Sequence, residues 1–415
     1  MKYVIIGNGV AGVHAAESIR ALDAEGSITM IGDEAMLPYC RPMISMVLDG
    51  SVRPEQLPIR DDGFYEDLNI VPVLGKRVSG IDTENRQVFV PKNGNGEEVS
   101  AIAFDRLLIA TGADPRPVKA EGLDLQNIFY MRTQSHVRGM LAALPSVKTA
   151  LVLGGGLVGF KAAYGLLRRG IRVTMLIRSG YPLSMQADER AGKMILDELI
   201  RHGLDVRVGI GVRAFAGEKS VRSVHLSDGT ELPCDMAVIG KGVLPALSFV
   251  PREKIITDLG ILVDAHMETR VPGIYAAGDA AEFTDIARKV PWVNAIWPEA
   301  VNQGCIAGMN MAGRPVSYKG SLGRNVIRIF GMDIMTAGTV NPGENEGYEV
   351  LAETNPRRNT YRKLVFQGDW LRGMVMVNEI EQGGLLMSLI QSEHPVRIDK
   401  ERLLAPSFNY SRVLF

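Results

Sequence analysis

The chain has 415 residues, 46% of them hydrophobic and 22% charged, with a formal net charge of −1 at pH 7. That is the composition of a globular enzyme of two or three domains, and it excludes a bulk electrostatic attraction to nucleic acid or to an anionic membrane. No apolar run is of membrane-spanning length, and MKYVIIGNGVAG enters a strand at once, which leaves no room for a secretory leader, so a cytoplasmic setting is expected.

The first element, KYVIIGNGVAGVHAAESIRAL, reads as an apolar strand, a glycine turn and an alanine-rich helix. Gly7, Gly9 and Gly12 fit G-x-G-x-x-G. In that pattern the first glycine permits the tight turn, the second lets the backbone approach a pyrophosphate, and the third allows close packing of helix on sheet. The next strand, SITMIGD, brings Asp33 to the place of a ribose-hydroxyl acceptor; the adjacent Glu34 could serve as well. FDRLLIATGADPRP is a buried strand that ends in a Gly/Pro turn.

The pattern then repeats. TALVLGGGLVGFKAAYGLLRRG carries Gly154, Gly156 and Gly159 in the same spacing, and IRVTMLIR is the strand after it. Here Ile177 stands where an acid selecting an unphosphorylated ribose would sit, and Arg178 follows. Without the carboxylate a 2′-phosphate meets no repulsion, and an arginine can pair with it, which favours NADP(H) or tolerance of both coenzymes. Gly159 and the lack of a second arginine near Ser184 weigh the other way. DMAVIGKGVLP, with Gly242, looks like the strand that leaves this second unit. In TRVPGIYAAGDAAEF small residues allow close approach to a cofactor, and Asp279, after Gly278, can accept hydrogen bonds from ribityl hydroxyls or cap a helix.

From about residue 320 the pattern changes to strands at NVIRIFGMDIMTAG, YRKLVFQG and WLRGMVMVNEI, then a short helix at GGLLMSLIQ. The expected fold class is therefore α/β: two Rossmann-like dinucleotide-binding domains plus a small α+β C-terminal domain. The first is expected to be discontinuous (1–113 and 246–319), the second to span 114–245, and the third 320–415.

The two glycine turns with AAGD, LPYCRPMIS, ATGADPRP, WPEAVNQGCIAGMNMAG and LRGMVMVNEIEQGGLLMSLI resemble the FAD-dependent pyridine nucleotide-disulfide oxidoreductases. Within them the resemblance is to the group of rubredoxin reductases, assimilatory nitrite reductase flavin domains and oxygenase ferredoxin reductases. It implies FAD on the first turn and NAD(P)H on the second. Carried over, Arg41, Arg116, Ala110, Thr111, Gly112, Gly278 and Asp279 would contact FAD, with Val78 at the adenine end through its backbone. Trp297 would lie beside the isoalloxazine, at the start of a helix over 298–311 whose dipole stabilises negative charge on the reduced flavin.

Two positions depart from that group. Relatives often carry Glu where this chain has Lys161, and some carry Lys where it has Met46. Lys161, expected in the first turn of its helix, is the candidate for a catalytic role at the flavin–nicotinamide face; the alternative is a solvent-facing or paired lysine. Cys40, Cys234 and Cys305 show no CxxC or CxxxxC spacing, and the six histidines form no HExxH pair, so no metal site and no redox cysteine pair are expected. Electrons leaving the flavin then go outside the chain. The reading is an NAD(P)H oxidoreductase with a rubredoxin or ferredoxin-like partner, a homodimer being one open arrangement. The alternatives are an NAD(P)H oxidase or disulfide reductase using Cys40, and a non-catalytic flavoprotein scaffold.

Overall fold

The computed structural model describes residues 1–92, 98–344, 346–406 and 408. The last residues of the expected C-terminal domain, 409–415, and positions 93–97 of the expected first domain lie outside the described set. The chain divides into two compact units, Met1–Pro42 with Glu55–Asp114 and Leu244–Gly323, and Met43–Pro54 with Pro115–Val243 and Arg324–Phe415.

In the first unit, runs such as YVII and LLI are apolar at consecutive positions, as a strand covered on both faces requires. They build a five-stranded parallel sheet in the order Ile274–Ala276, Arg106–Ile109, Lys2–Ile6, Ser27–Gly32, Ile70–Leu74. Ile6, Ile31 and Ile109 are in register, and Ala276 is level with Ile109, so four strands end together on one edge. The helix Val10–Leu22 runs back over the sheet, burying Ala11, Val13, Ala15, Ala16 and Ile19. Helix Trp297–Met311 lies against it at very short range. A Cβ built on Gly304 would stand 2.3 Å from the Ala11 carbonyl oxygen, and one on Gly308 2.5 Å from that of Ala15. Only glycine lets two helix backbones approach so closely.

The second unit repeats the design. Its parallel sheet has the order Asp205–Val208, Arg172–Ile177, Thr149–Leu153, Met236–Ile239, Ile128–Tyr130. Helix Leu157–Arg168 follows the central strand. The same unit contains an antiparallel sheet in the order Arg324–Ile329, Met332–Gly338, Trp370–Val377, Thr360–Gln367, Tyr348–Asn355. Its junction with the parallel-sheet part is polar and specific. Asp188 caps helix Glu189–Arg201 through the Ala191 amide at 3.1 Å, and also accepts from the Tyr361 hydroxyl and pairs with Lys363 at 3.1 Å. Asn341 donates to the carbonyls of Ser184 and Ala187, and Phe330 stacks on His202 with ring centroids 4.1 Å apart.

Several strands escape the sequence reading, and two of them show why. Tyr348–Asn355 is an edge strand, mostly exposed and carrying Glu349 and Glu353, so it lacks the apolar alternation by which strands are recognised. Ile128–Tyr130 has three residues and lies upstream of the glycine turn whose sheet it completes.

Candidate functional site

The two glycine turns have the same local construction. The Gly7 amide donates to the Ile31 carbonyl at 2.8 Å, and the Gly154 amide to Leu176 at 2.9 Å. Ala110 donates to Ile6 at 2.7 Å, and Gly240 to Leu153 at 2.8 Å. Gly7 and Gly154 have φ of +129° and +127°, where side chains are strained. A Cβ on Gly7 would sit 2.0 Å from the Ala110 carbonyl oxygen, and one on Gly154 2.3 Å from that of Gly240. The third glycines are as tightly held: a Cβ on Gly12 would lie 2.1 Å from the Gly7 oxygen, and one on Gly159 2.1 Å from the Gly154 oxygen.

The middle glycines differ. A Cβ on Gly9 or Gly156 meets no atom within 4 Å, and both have extended backbones with φ of −99° and −84°. Neither the protein's packing nor its backbone geometry calls for glycine there. Each is the N-cap of its helix, neither helix has a side-chain cap, and neither has an acid in its first turn. Four amide groups at a helix start need acceptors, and here none comes from a side chain. A pyrophosphate fits this arrangement on both turns: it supplies the acceptors, complements the helix dipole, and uses the open space at the middle glycine.

Around the first turn the structure gathers several expected residues at the carboxyl edge of the sheet. Ala110 abuts Gly7. The Thr111 hydroxyl donates to the Ala246 carbonyl at 3.0 Å, and Gly112 has φ +68°. Gly278, at φ +74°, stands over Ala11, and its amide donates to the Gln303 side chain at 2.8 Å. Asp279 is half-buried within the 3-10 turn Gly278–Ala280, whose N-cap is Ala277, so it is not a helix cap. Val78 is buried, between the Lys76 amide, which donates to Gly32, and the Ser79 amide, which donates to Phe89. Glu34 is committed: Arg41 pairs with it at 2.8 Å, and the Tyr39 hydroxyl donates to it at 2.8 Å. Asp33 is exposed and, among the described residues, its carboxylate makes no hydrogen bond or ion pair.

Trp297 is half-buried and is the first residue of its helix, one earlier than the expected 298. The first turn of that helix also holds Glu299, 4% exposed and hydrogen-bonded by the Tyr318 hydroxyl. Glu299 and Gln303 escaped the sequence reading, because a carboxylate and an amide on an otherwise small-residue helix carry no motif.

On the second unit, Gly242 has φ +85° and open space around its Cα, while Ile177 is fully buried, with a Cβ on Gly155 2.7 Å from its side chain. Arg178 is exposed. Arg116 also belongs to this unit, where its amide donates to the Gly242 carbonyl at 3.0 Å. Lys161 needs a correction. The helix begins at Leu157, so Lys161 is its fifth residue, half-buried and past the first turn, where the dipole's opposition to a cation is already weaker. Met46 lies 39% exposed on the short helix Ile44–Asp49 of the same unit.

The three cysteines are free thiols. Burial pushes the Cys234 thiol up to about 12, and it donates to the Met236 carbonyl, so it is inert. Cys40 is half-buried and Cys305 lies on helix Trp297–Met311. Among the described residues no group of three His, Cys, Asp or Glu is placed to hold a metal ion, and no helix is long and apolar enough to cross a membrane.

Comparison with known proteins gives the same architecture. A profile described as pyridine nucleotide-disulphide oxidoreductase matches residues 1–304, and one described as the rubredoxin NAD+ reductase C-terminal domain matches 324–394. The NADH-dependent phenylglyoxylate dehydrogenase subunit epsilon of Aromatoleum evansii is 31% identical over 94% of this chain and 91% of its own length. The nitrite reductase [NAD(P)H] of Bacillus subtilis (strain 168) is 29% identical over 94% of this chain; the match spans 47% of that protein, so the chain has about half its length. Among solved structures, the covalent putidaredoxin reductase–putidaredoxin complex contains a chain with a TM-score of 0.89 at 25% identity, covering 100% of this chain and 98% of that one.

Proposed function

The chain belongs to the pyridine nucleotide-disulphide oxidoreductase family, and we propose that it is an FAD-dependent NAD(P)H oxidoreductase that passes electrons to a small iron–sulfur protein of the rubredoxin or ferredoxin kind. The observation that carries this reading is the duplicated turn: two glycine cradles, each with an uncapped helix start and an unfilled position at its middle glycine. Two dinucleotides on one chain are what a flavin reductase requires. The solved putidaredoxin reductase–putidaredoxin complex, similar over the full chain, and a relative described as a ferredoxin–NAD(+) reductase component support the choice of acceptor.

FAD held on the first turn would supply the chemistry: acceptance of a hydride from a nicotinamide and release of single electrons. The protein's part is binding and orientation. Gly7–Gly12 and the amides opening helix Val10–Leu22 hold the FAD pyrophosphate, Asp33 takes a ribose hydroxyl, Asp279 takes ribityl hydroxyls, and Arg41, anchored by Glu34, lines the same edge. Gly154–Gly159, Arg178 and Gly242 hold the coenzyme. Val78, Arg116 and Trp297 complete the proposed FAD contacts. A cytoplasmic setting belongs to the same proposal, in keeping with three free thiols.

The test is steady-state reduction of a rubredoxin and of a [2Fe–2S] ferredoxin by the purified protein with NADH and NADPH. Turnover with either acceptor supports the reading; coenzyme oxidation that no iron–sulfur acceptor accelerates overturns it. The chain has no cysteine pair in redox spacing. Cys40→Ser is therefore expected to keep acceptor reduction within about twofold of wild type, and a loss of about tenfold or more would mean that electrons pass through this thiol.

Lys161 enters the proposal as a positive charge on the helix that opens at the coenzyme turn. Lys161→Met is expected to slow flavin reduction by NAD(P)H by about threefold to tenfold, and Lys161→Glu to slow it more, since a half-buried unit charge is worth about 1 kcal/mol after screening. Reduction by dithionite should not change. Stopped-flow traces identical in the three proteins would remove Lys161 from the site.

A further inference from the structure

Helix Trp297–Met311 carries a buried carboxylate at the end where its dipole is positive. Glu299 stands in the first turn and is 4% exposed. That turn packs directly on the proposed FAD edge: a Cβ on Gly278 would lie 3.5 Å from that of Ala300. Two further buried side chains, Gln303 and Tyr318, link Gly278 to Glu299 through one chain of hydrogen bonds.

The polarity of the chain is fixed from its backbone end. The Gly278 amide can only donate, so the Gln303 oxygen faces it, at 2.8 Å. The Gln303 amide nitrogen is thereby turned to the Tyr318 oxygen, at 3.4 Å. The Tyr318 proton is left for Glu299, whose Oε2 accepts at 2.5 Å, the separation of a hydroxyl on an ionised carboxylate. Tyr318 is itself anchored. Its amide donates to the Ala265 carbonyl at 2.7 Å, and its ring lies against Phe283 with centroids 5.6 Å apart. A buried carboxylate is costly unless donors hold it, and a helix start favours it. Glu299 has both supports.

We propose that Glu299 sets the reduction potential of the flavin: its buried negative charge offsets the helix dipole and disfavours negative charge on the reduced flavin. The inference rests on the reading of Gly7–Gly12 and Asp279 as the FAD site. Oxidised isoalloxazine is uncharged, so a nearby fixed charge acts on the anionic reduced form. A carboxylate in this turn therefore lowers the potential, and electrons leave the flavin more readily for the acceptor. The helix dipole by itself acts in the opposite sense. Gln303 and Tyr318 are positioning residues, acting through Glu299.

The test is anaerobic equilibration of the FAD-loaded full chain with a phenazine dye of known potential, read by the absorbance of both. Glu299→Gln should move the equilibrium towards reduced flavin by at least about tenfold, about 30 mV upward for a two-electron couple. Tyr318→Phe disturbs the same chain of bonds but keeps the charge, so it should move the equilibrium by less than about threefold. If Glu299→Gln does not fold, Glu299→Leu combined with Tyr318→Phe removes both partners of the bond together, the gentler change, and should give the same rise. An unshifted potential in the neutral variant, or an equal rise in Tyr318→Phe alone, overturns the proposal while leaving the FAD site intact. Wild-type protein that takes up no FAD overturns the FAD site, and the role of Glu299 with it.

Discussion

Gly9→Val protein is expected to fold and to be colourless, and Gly156→Val protein to be yellow and unreactive towards NADPH. Both glycines have ordinary extended backbone angles, and a Cβ on either meets nothing within 4 Å, so the folded chain tolerates the side chain. The bound dinucleotide does not. Its pyrophosphate must approach the backbone at this position, and the valine methyls would occupy that approach. A hundredfold loss of affinity, about 2.7 kcal/mol, is the expected scale. Because a ligand bound only to the folded state raises the melting temperature, the apo proteins are the ones to compare. Gly12→Ala is the contrasting case. Its Cβ would lie 2.1 Å from the Gly7 carbonyl oxygen, so it should destabilise the apo protein itself, by at least the roughly 1–3 kcal/mol of an overpacked core. A yellow Gly9→Val protein with wild-type FAD affinity would show that the first turn does not cradle the pyrophosphate.

Asp279→Ala carries the second large effect, on FAD retention and not on coenzyme binding. Asp279 sits in the turn Gly278–Ala280, immediately past the strand Ile274–Ala276, at the edge of the sheet that carries Gly7–Gly12. The turn is fixed from behind: Gly278 donates to Gln303, and Gly278 packs on Ala11 and Ala300, where only a small residue fits. A carboxylate held so rigidly can accept from ribityl hydroxyls with little ordering cost. Hydrogen bonds to a charged group contribute about 1.5–3 kcal/mol, so FAD should be held roughly tenfold to a hundredfold more weakly. Asp279→Asn, which keeps one acceptor, should fall between. Equal dissociation constants in the three proteins, read by flavin fluorescence on dilution, would place Asp279 outside the site.

Both glycine turns and their flanking strands were legible in the sequence because their reasons are local. Consecutive apolar residues make a doubly covered strand, and three glycines in fixed spacing each answer one steric demand. Other features depend on residues far apart in the chain. Gly240 is required because its Cβ would meet the Gly159 Cα at 2.6 Å, eighty-odd residues away, and nothing in its own neighbourhood says so. Strand Tyr348–Asn355 was missed because an exposed edge needs no apolar alternation. Lys161 was placed one turn too early because the helix start was counted from the third glycine, whereas the second, Gly156, is the N-cap. The choice between Asp33 and Glu34 was open in the sequence; the structure commits Glu34 to Arg41 and Tyr39.

The central claim is that this one chain carries electrons from a nicotinamide coenzyme through its flavin to an iron–sulfur acceptor. It is tested most directly by an anaerobic titration of the purified protein, followed at the flavin absorbance band. The account predicts that about one equivalent of NADPH bleaches about one FAD per chain, and that oxidised rubredoxin or [2Fe–2S] ferredoxin then restores the yellow colour as two acceptor molecules are reduced. A flavin that stays oxidised under excess NADPH and NADH, or that is bleached but recovers its colour only when oxygen is admitted, would contradict it.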